Sequence, residues 1–547
     1  MIVPRVKSEK IKEKSTLIGT ALTLAAPEEH FEKAKVALEA FLPSCTVSRG
    51  AEDAVITAQA DARFEGRPEA YCLTAEKGRV RIGFSGYLGL RNALAVFSLL
   101  VTLREGGLEL PDAEIEDEPE ASFRSAMLEV AFVVKPMREL MDDLVLMAKA
   151  RMNYAQIYFS DHHGVAIRLE TLPEEIYNKE AYTKDEIREL CRFAGAIGIE
   201  LIPQFDMPAH TRLMVKYFDF LQCELPEGVE ACNWAACTGD PRTYELYERI
   251  IREILDIFPG RYFHMGGDEL EMLDLGAICQ WDECAKCRRL RREHNIPDKQ
   301  EQYYYFVRRI YDIVKAEGRE LIMWSDQLDC PRGAELPQDI IMEFWRVAHP
   351  GRGPYVGCSL NAQAALGYKV INAFYPYTYT FTGDPGEKCA VTPEKLAGWI
   401  WNREPDVDEE NAGNIIGGEL CAWGYTSALQ GMDYIRYIMP SLFVLLGDKL
   451  WNNDRMVYDV QYCRGLTRCL LGEGTPDGLD VFGCIGSVMP PTEIEGAIAY
   501  PERVSLTVDE LRAVDGLLEG ASLSRADRAR AEIYRECIGY VIDKKQG

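Results

Sequence analysis

The chain has 547 residues, with 61 Lys and Arg against 87 Asp and Glu, for a formal charge of −26. Hydrophobic residues at 47% and charged residues at 27% match an ordinary globular composition, which excludes general disorder and leaves room for roughly two to four domains. The acidic surplus argues against nucleic acid as a partner, and the longest apolar run, residues 93–103, is about half of what a bilayer span needs, so no membrane association is expected.

Taken in chain order, Phe31, Ala34, Leu38 and Phe41 recur at helical spacing and predict a helix over 29–42 that stops at Pro43. Alternating runs at 54–57, 71–74 and 79–84 predict strands, the last two joined by a turn at Glu76, Lys77 and Gly78. A second helix over 88–103 completes a small α+β domain assigned to residues 1–118. At its end, residues 110–120 (LPDAEIEDEPE) are acidic, contain two prolines and lack periodicity, so a linker is expected there. The N-terminal stretch scatters Lys and Glu with no apolar core, unlike a secretory signal.

Eight short apolar runs then alternate with helical stretches, at 125–130, 154–159, 200–205, 261–265, 320–324, 339–344, 368–374 and 414–420. Between the first two, Leu140, Leu144 and Met147 share one helical face. Eight strand-helix units fit a (β/α)8 TIM barrel over 119–450 better than the alternative, an open doubly wound sheet. Residues 451–547 are read as a mainly helical C-terminal region, with a Gly/Pro-rich passage at 472–486 and a helical pair over 507–544. The 17 cysteines are odd in number and mostly sit singly in apolar segments, as at Cys72, Cys191, Cys421 and Cys537, which favours unpaired thiols in a reducing, cytoplasmic compartment.

In a barrel, chemistry sits past the C-terminal strand ends. The second run is followed by Ser160, Asp161, His162 and His163, the third by Asp206 and His210, and the fourth by Asp268 and Glu269. The later runs end at Trp324 and Asp326, at Trp345 and Arg346, at Tyr375 and Tyr377, and at Trp423. The adjacent acids Asp268 and Glu269 follow Gly266 and Gly267, a pair that permits a tight turn into one cavity. Two such acids divide acid and base labour when their surroundings push their pKa values apart. Taken alone the pair also fits a solvated helix N-terminus; beside His264 and after a strand, catalysis is the better reading. Asp161 and His210 suggest a relay in which a carboxylate holds an imidazole, although a hydrogen-bonded structural histidine is equally ordinary. Trp324, Trp345 and Trp423 are suited to stack against an apolar sugar face or to fill the barrel. Cys279, Cys284 and Cys287 have the spacing of part of a structural zinc site, a loop staple without a role in catalysis.

The segment HMGGDE, from His264 to Glu269, resembles the signature of glycoside hydrolase family 20, the β-N-acetylhexosaminidases. FRSAMLE resembles the first barrel strand of that family, MNYAQIYFSD the second and IPQFDMPAHT the third, while MWSD, FWR and LCAW resemble later strand ends. The leading domain is similar as well, so the likeness covers roughly residues 20–450. The resemblance implies a substrate-assisted retaining glycosidase acting on a glycan or amino-sugar oligosaccharide, with no cofactor for catalysis. It assigns Glu269 as acid and base, Asp268 as partner of the substrate acetamido N–H, and Asp161 with His210 as a relay. Arg124 would bind sugar hydroxyls, Tyr377 the acetamido oxygen, and His264, Trp324, Asp326, Trp345, Trp423 and Tyr425 would line the pocket. Three places depart from the family: Tyr425 stands where a glutamate is usual, and PAH and IYFS replace PGH and HWHL. A barrel glycosidase with its own carboxylate nucleophile and a silent sugar-binding barrel are the rival readings, and self-association is left open.

Overall fold

Runs that are apolar on both faces need cover on both sides, and here eight of them close on one another inside a ring of helices. In the computed structural model they are β1 (Phe123–Glu129), β2 (Tyr154–Tyr158), β3 (Glu200–Gln204), β4 (Tyr262–His264), β5 (Glu320–Trp324), β6 (Ile341–Phe344), β7 (Val370–Asn372) and β8 (Ile415–Ala422). Each pairs in parallel with the next, and β8 returns to β1 with Gly417 opposite Phe123. The sheet is therefore a closed (β/α)8 barrel, and the open alternative is excluded. The structure describes residues 2–132, 134–270, 278–330, 332–346, 358–380, 391, 393–423, 432–454 and 508–520, with a few residues between 535 and 546. Tyr425, Cys537, the passage at 472–486 and most of the second helix of the expected C-terminal pair lie outside the described residues.

Successive side chains on a strand alternate sides, so every second residue faces the barrel axis. The first inward tier, at the N-terminal end, is apolar and includes Phe123, Ile202, Tyr262, Ile322, Ile341 and Ile371. Two residues further along come Ser125, Gln156, Gln204, His264, Trp324, Glu343 and Glu419, all buried. Two further again come Met127, Tyr158, Asp206, Asp326, Trp345 and Cys421, at the C-terminal mouth. Only the first tier is thus wholly apolar or aromatic, and polar side chains enter in the two tiers nearer the mouth. Within the middle tier, burial pushes the Glu419 carboxyl up to about 7 and Glu343 well above the carboxylate range, so this enclosed pair holds protons near neutral pH.

The leading domain is a mixed sheet with helices Glu28–Phe41 and Tyr87–Leu100 between it and the barrel helices Met137–Lys149 and Lys184–Ala196. The expected linker is not one. Gly107–Asp117 is a strand in the sheet interior, paired with Ser8–Ile18 on one side and Tyr71–Glu76 on the other. Its proline, Pro111, is tolerated because it stands opposite Ser15, where the register shifts. The Lys- and Glu-rich N-terminal stretch is itself the strand Ser8–Ile18 at the sheet edge, where charges discourage further strand addition.

Cys330 and Cys358 are bridged as a disulfide, against the expectation of unpaired thiols. They lie on the loops after β5 and β6, a proximity that their sequence separation of 28 conceals. Cys191 and Cys421 are buried free thiols, as expected, whereas Cys72 is a free thiol that is only half-buried. Among the described residues no helix is long and apolar enough to cross a membrane.

Candidate active site

Past β4 the chain turns through Gly266 (φ +69°) and Gly267 (φ +91°), backbone conformations that L side chains rarely adopt. A Cβ on Gly266 would lie 2.2 Å from Asp206 Oδ1, so only glycine fits this turn. The turn is braced from below, where His264 Nδ1 accepts the Gly266 N–H at 3.0 Å. It delivers Asp268 and Glu269 to the barrel mouth, with Glu269 itself at φ +47°. That left-handed backbone is held from two sides: the Glu269 N–H donates to Asp326 Oδ2 at 3.1 Å, and its carbonyl accepts from Trp234 Nε1 at 2.8 Å. Strain of this kind persists where surrounding contacts over-determine it, a common mark of functional sites.

His210, also in a left-handed conformation (φ +57°), is the hub. Its Nε2 stands 3.5 Å from Asp268 Oδ2 and 3.5 Å from Glu269 Oε2, while Nδ1 stands 3.4 Å from Asp161 Oδ1. Burial disfavours its charge, but Asp268 and Asp161 outweigh burial and hold the imidazole pKa well above its usual value. Burial likewise opposes ionisation of Asp161, yet the His210 charge and hydrogen bonds from His162 and His210 keep that carboxyl below its usual range. The two adjacent acids diverge. Burial, reinforced by Asp206, Asp326 and Glu269, raises Asp268 well above the carboxylate range. Burial also works against Glu269, but His210 and Arg346, whose Nη2 donates to Oε1 at 2.9 Å, hold it below its usual value. Behind them the Tyr158 hydroxyl lies 2.5 Å from Asp161 Oδ2 and 2.6 Å from Asp206 Oδ2. One hydroxyl proton cannot serve two carboxylates, and burial pushes Asp206 up to about 7, which supplies the second proton.

The remaining wall is aromatic. Trp345 stacks on Tyr379 with ring centroids 5.8 Å apart and planes 11° apart. Trp423 meets Tyr379 at 5.7 Å and Tyr158 at 5.3 Å. The Arg346 guanidinium covers the Trp345 ring at 4.0 Å, a cation–π contact that also fixes its aim at Glu269. The mouth therefore joins coupled acids and an imidazolium to partly open aromatic faces.

Residues 122–452 match the glycosyl hydrolase family 20 catalytic domain. The chain belongs to that family. Curated relatives include the β-hexosaminidase of Porphyromonas gingivalis, 24% identical over 480 residues, covering 81% of this chain and 58% of the relative. Another is the β-hexosaminidase subunit alpha of Bos taurus, 25% identical over 414 residues, covering 73% of each chain. The chain spans about three-fifths of the first of these relatives. Among solved structures, the Vibrio harveyi GH20 exo-β-N-acetylglucosaminidase, in complex with N-acetylglucosamine, superposes with a TM-score of 0.71 at 18% identity, over 86% of this chain and 76% of that one. The Bacteroides fragilis β-N-acetylhexosaminidase gives 0.70 at 20% identity, over 86% and 95%.

Within this family 20 barrel the structure brings Asp161, His210, Asp268, Glu269, Asp326, Trp345 and Trp423 together, and removes several other expected residues. Arg124 is second in β1 and faces outward at the opposite end, bonded to Glu69 and to the Arg151 carbonyl, with its guanidinium over Trp451. It is enclosed and cannot reach a sugar at the mouth. His264 and Trp324 are middle-tier residues, 0% and 1% exposed, so they form the floor under the pocket. Tyr377 turns away from the mouth and stacks on Trp399 at 6.0 Å; in this short helical turn it is Tyr375 and Tyr379 that join Trp345 and Trp423. Cys284 and Cys287 converge with Cys223 and Cys237, and Cys279 is not in that group. Sequence reasoning does not find Trp234, Tyr158 or Tyr379 as site residues. Trp234 acts from a neighbouring loop, through a contact that no local pattern announces. Tyr158 carries a usable signal, since it sits two residues after the inward-facing Gln156.

Proposed function

We propose that the chain is a retaining exo-glycosidase that removes terminal β-linked N-acetylhexosamine with help from the substrate's own acetamido group. The observation that supports this most is the position of His210 Nε2, equally distant at 3.5 Å from Asp268 and Glu269. Before substrate binds, the proton resides on Asp268 and Glu269 is ionised. An acetamido N–H donating to Asp268 favours its anion, so the Nε2 proton of the His210 imidazolium passes to Glu269 and the Asp268 proton takes its place. Glu269 is left protonated beside the leaving oxygen as Asp268 becomes the anion that orients the acetamido group. The acetamido oxygen attacks the anomeric carbon, Glu269 protonates the departing oxygen, and the same carboxylate next deprotonates water.

Asp161 stabilises the imidazolium while the transfer is under way, and Tyr379 is placed to donate to the acetamido oxygen as it develops charge. Trp345 and Trp423, both only partly buried, supply an apolar aromatic wall for the sugar ring. The reading is tested with chromogenic β-GlcNAc and β-GalNAc glycosides, from at least one of which the folded protein is expected to release chromophore. No release from either overturns it.

A further inference from the structure

We propose that Cys223, Cys237, Cys284 and Cys287 form a structural zinc site that clamps together the two loops carrying the acids and the imidazole. Their four Sγ atoms lie within 4.8 Å of one another. Cys237 Sγ stands 3.6 Å from Cys284 Sγ and 3.6 Å from Cys287 Sγ. A disulfide would bring two sulfurs to about 2.05 Å, whereas four thiolates at about 2.3 Å from one tetrahedral zinc are about 3.8 Å apart. The observed spacing is that of ligands around an ion. Cys237, Cys284 and Cys287 are fully buried, and thiols have no reason to crowd in fours away from water without a cation to share.

The backbone is built for the same geometry. Cys284 and Cys287 have the C-x-x-C spacing across the start of helix Ala285–Glu293, for which Cys284 is the N-cap residue. The Glu224 N–H donates to Cys284 Sγ at 3.3 Å, and the Cys287 N–H points at the same sulfur, as amide donors do around metal thiolates. Gly239 lets the other loop come close, since a Cβ there would lie 2.4 Å from Cys287 N. Cys223 and Cys237 come from the loop after β3, which holds His210 and Trp234, and Cys284 and Cys287 from the segment after β4, which holds Asp268 and Glu269. Between the ion and the acids, Trp281 Nε1 donates to the Ala236 carbonyl at 3.0 Å, and Trp234 donates to the Glu269 carbonyl. The clamp therefore fixes the left-handed backbone at Glu269 from a distance.

The test is metal analysis of the full chain, purified without chelator. About one zinc per chain is expected. The Cys284→Ser/Cys287→Ser double variant is expected to lose it, and Cys279→Ser to keep it. Replacing the ion with Co2+ is expected to give the intense visible bands of a tetrahedral thiolate site. Should the double variant fail to fold, titration of wild-type thiols with a mercurial is expected to release zinc in step with four of them. Zinc absent from protein grown with ample zinc, or zinc kept by the folded double variant, overturns the proposal, as does a mercurial titration that releases none.

Discussion

Arg346 donates to the Glu269 carboxylate at 2.9 Å, and both side chains are largely enclosed, at 15% and 12% exposure. An ion pair on the proposed catalytic acid before substrate binds is a poised state. It keeps Glu269 charged until substrate arrives and gives the aromatic wall, through Trp345, a mechanical link to the acid.

This pairing fixes a pH dependence. Removing a nearby positive charge destabilises the carboxylate form, so Arg346→Met is expected to raise the Glu269 pKa, by about one unit or more. In the complex, where Glu269 carries the proton, it then stays protonated to higher pH, and the basic limb of the kcat profile, which reports the complex, is expected to move upward by that amount. An unmoved limb would assign it to another group.

The two neighbouring acids are expected to fail differently. Glu269→Gln removes leaving-group protonation and is expected to cost about 10²–10⁴-fold on glycosides with poor leaving groups, with far less lost on nitrophenyl substrates. Asp268→Asn is expected to slow all substrates, whatever their leaving group, because it weakens acetamido recruitment. Equal leaving-group dependence in both variants would contradict the division of roles.

Two tyrosines separated by one residue provide a sharp contrast. Tyr379→Phe is expected to lower kcat by about 10²-fold, the usual cost of losing one donor to developing charge. Tyr377→Phe is expected to leave kcat and KM within about twofold, since that ring stacks on Trp399 outside the pocket. Kinetics on one nitrophenyl substrate decide between them.

Arg124 is expected to matter for stability and not for sugar binding. Arg124→Met strands Glu69 at the buried end of the barrel, which is expected to cost roughly 3 kcal/mol and lower Tm by several degrees. KM is expected to hold. A raised KM with unchanged Tm would return Arg124 to the pocket.

The barrel was legible because its eight runs, apolar on both faces, leave few ways to be buried, and HMGGDE was legible because two glycines and two acids in a row have a narrow use. Depth along the barrel axis was not legible. His264 and Trp324 read as mouth residues, yet each sits one inward tier short of Asp326 and Trp345, a shift of two residues that alternation predicts only once the strand start is known. The strand Gly107–Asp117 was hidden by Pro111, whose tolerance depends on an irregular register with a partner about a hundred residues away in sequence. The four cysteines were half visible: C-x-x-C announced one pair, whereas Cys223 and Cys237 are brought to it only by tertiary folding.

Attack by the substrate's own acetamido oxygen is tested most directly by varying that nucleophile. A nitrophenyl glycoside series with acetyl, fluoroacetyl, difluoroacetyl and trifluoroacetyl groups on the 2-amino position lowers the amide oxygen's nucleophilicity step by step. If that oxygen attacks the anomeric carbon, log(kcat/KM) is expected to fall steeply and linearly along the series, by several tenfold steps overall. A rate indifferent to fluorination would mean that the attacking group belongs to the protein, and would contradict the roles assigned to Asp268 and Glu269.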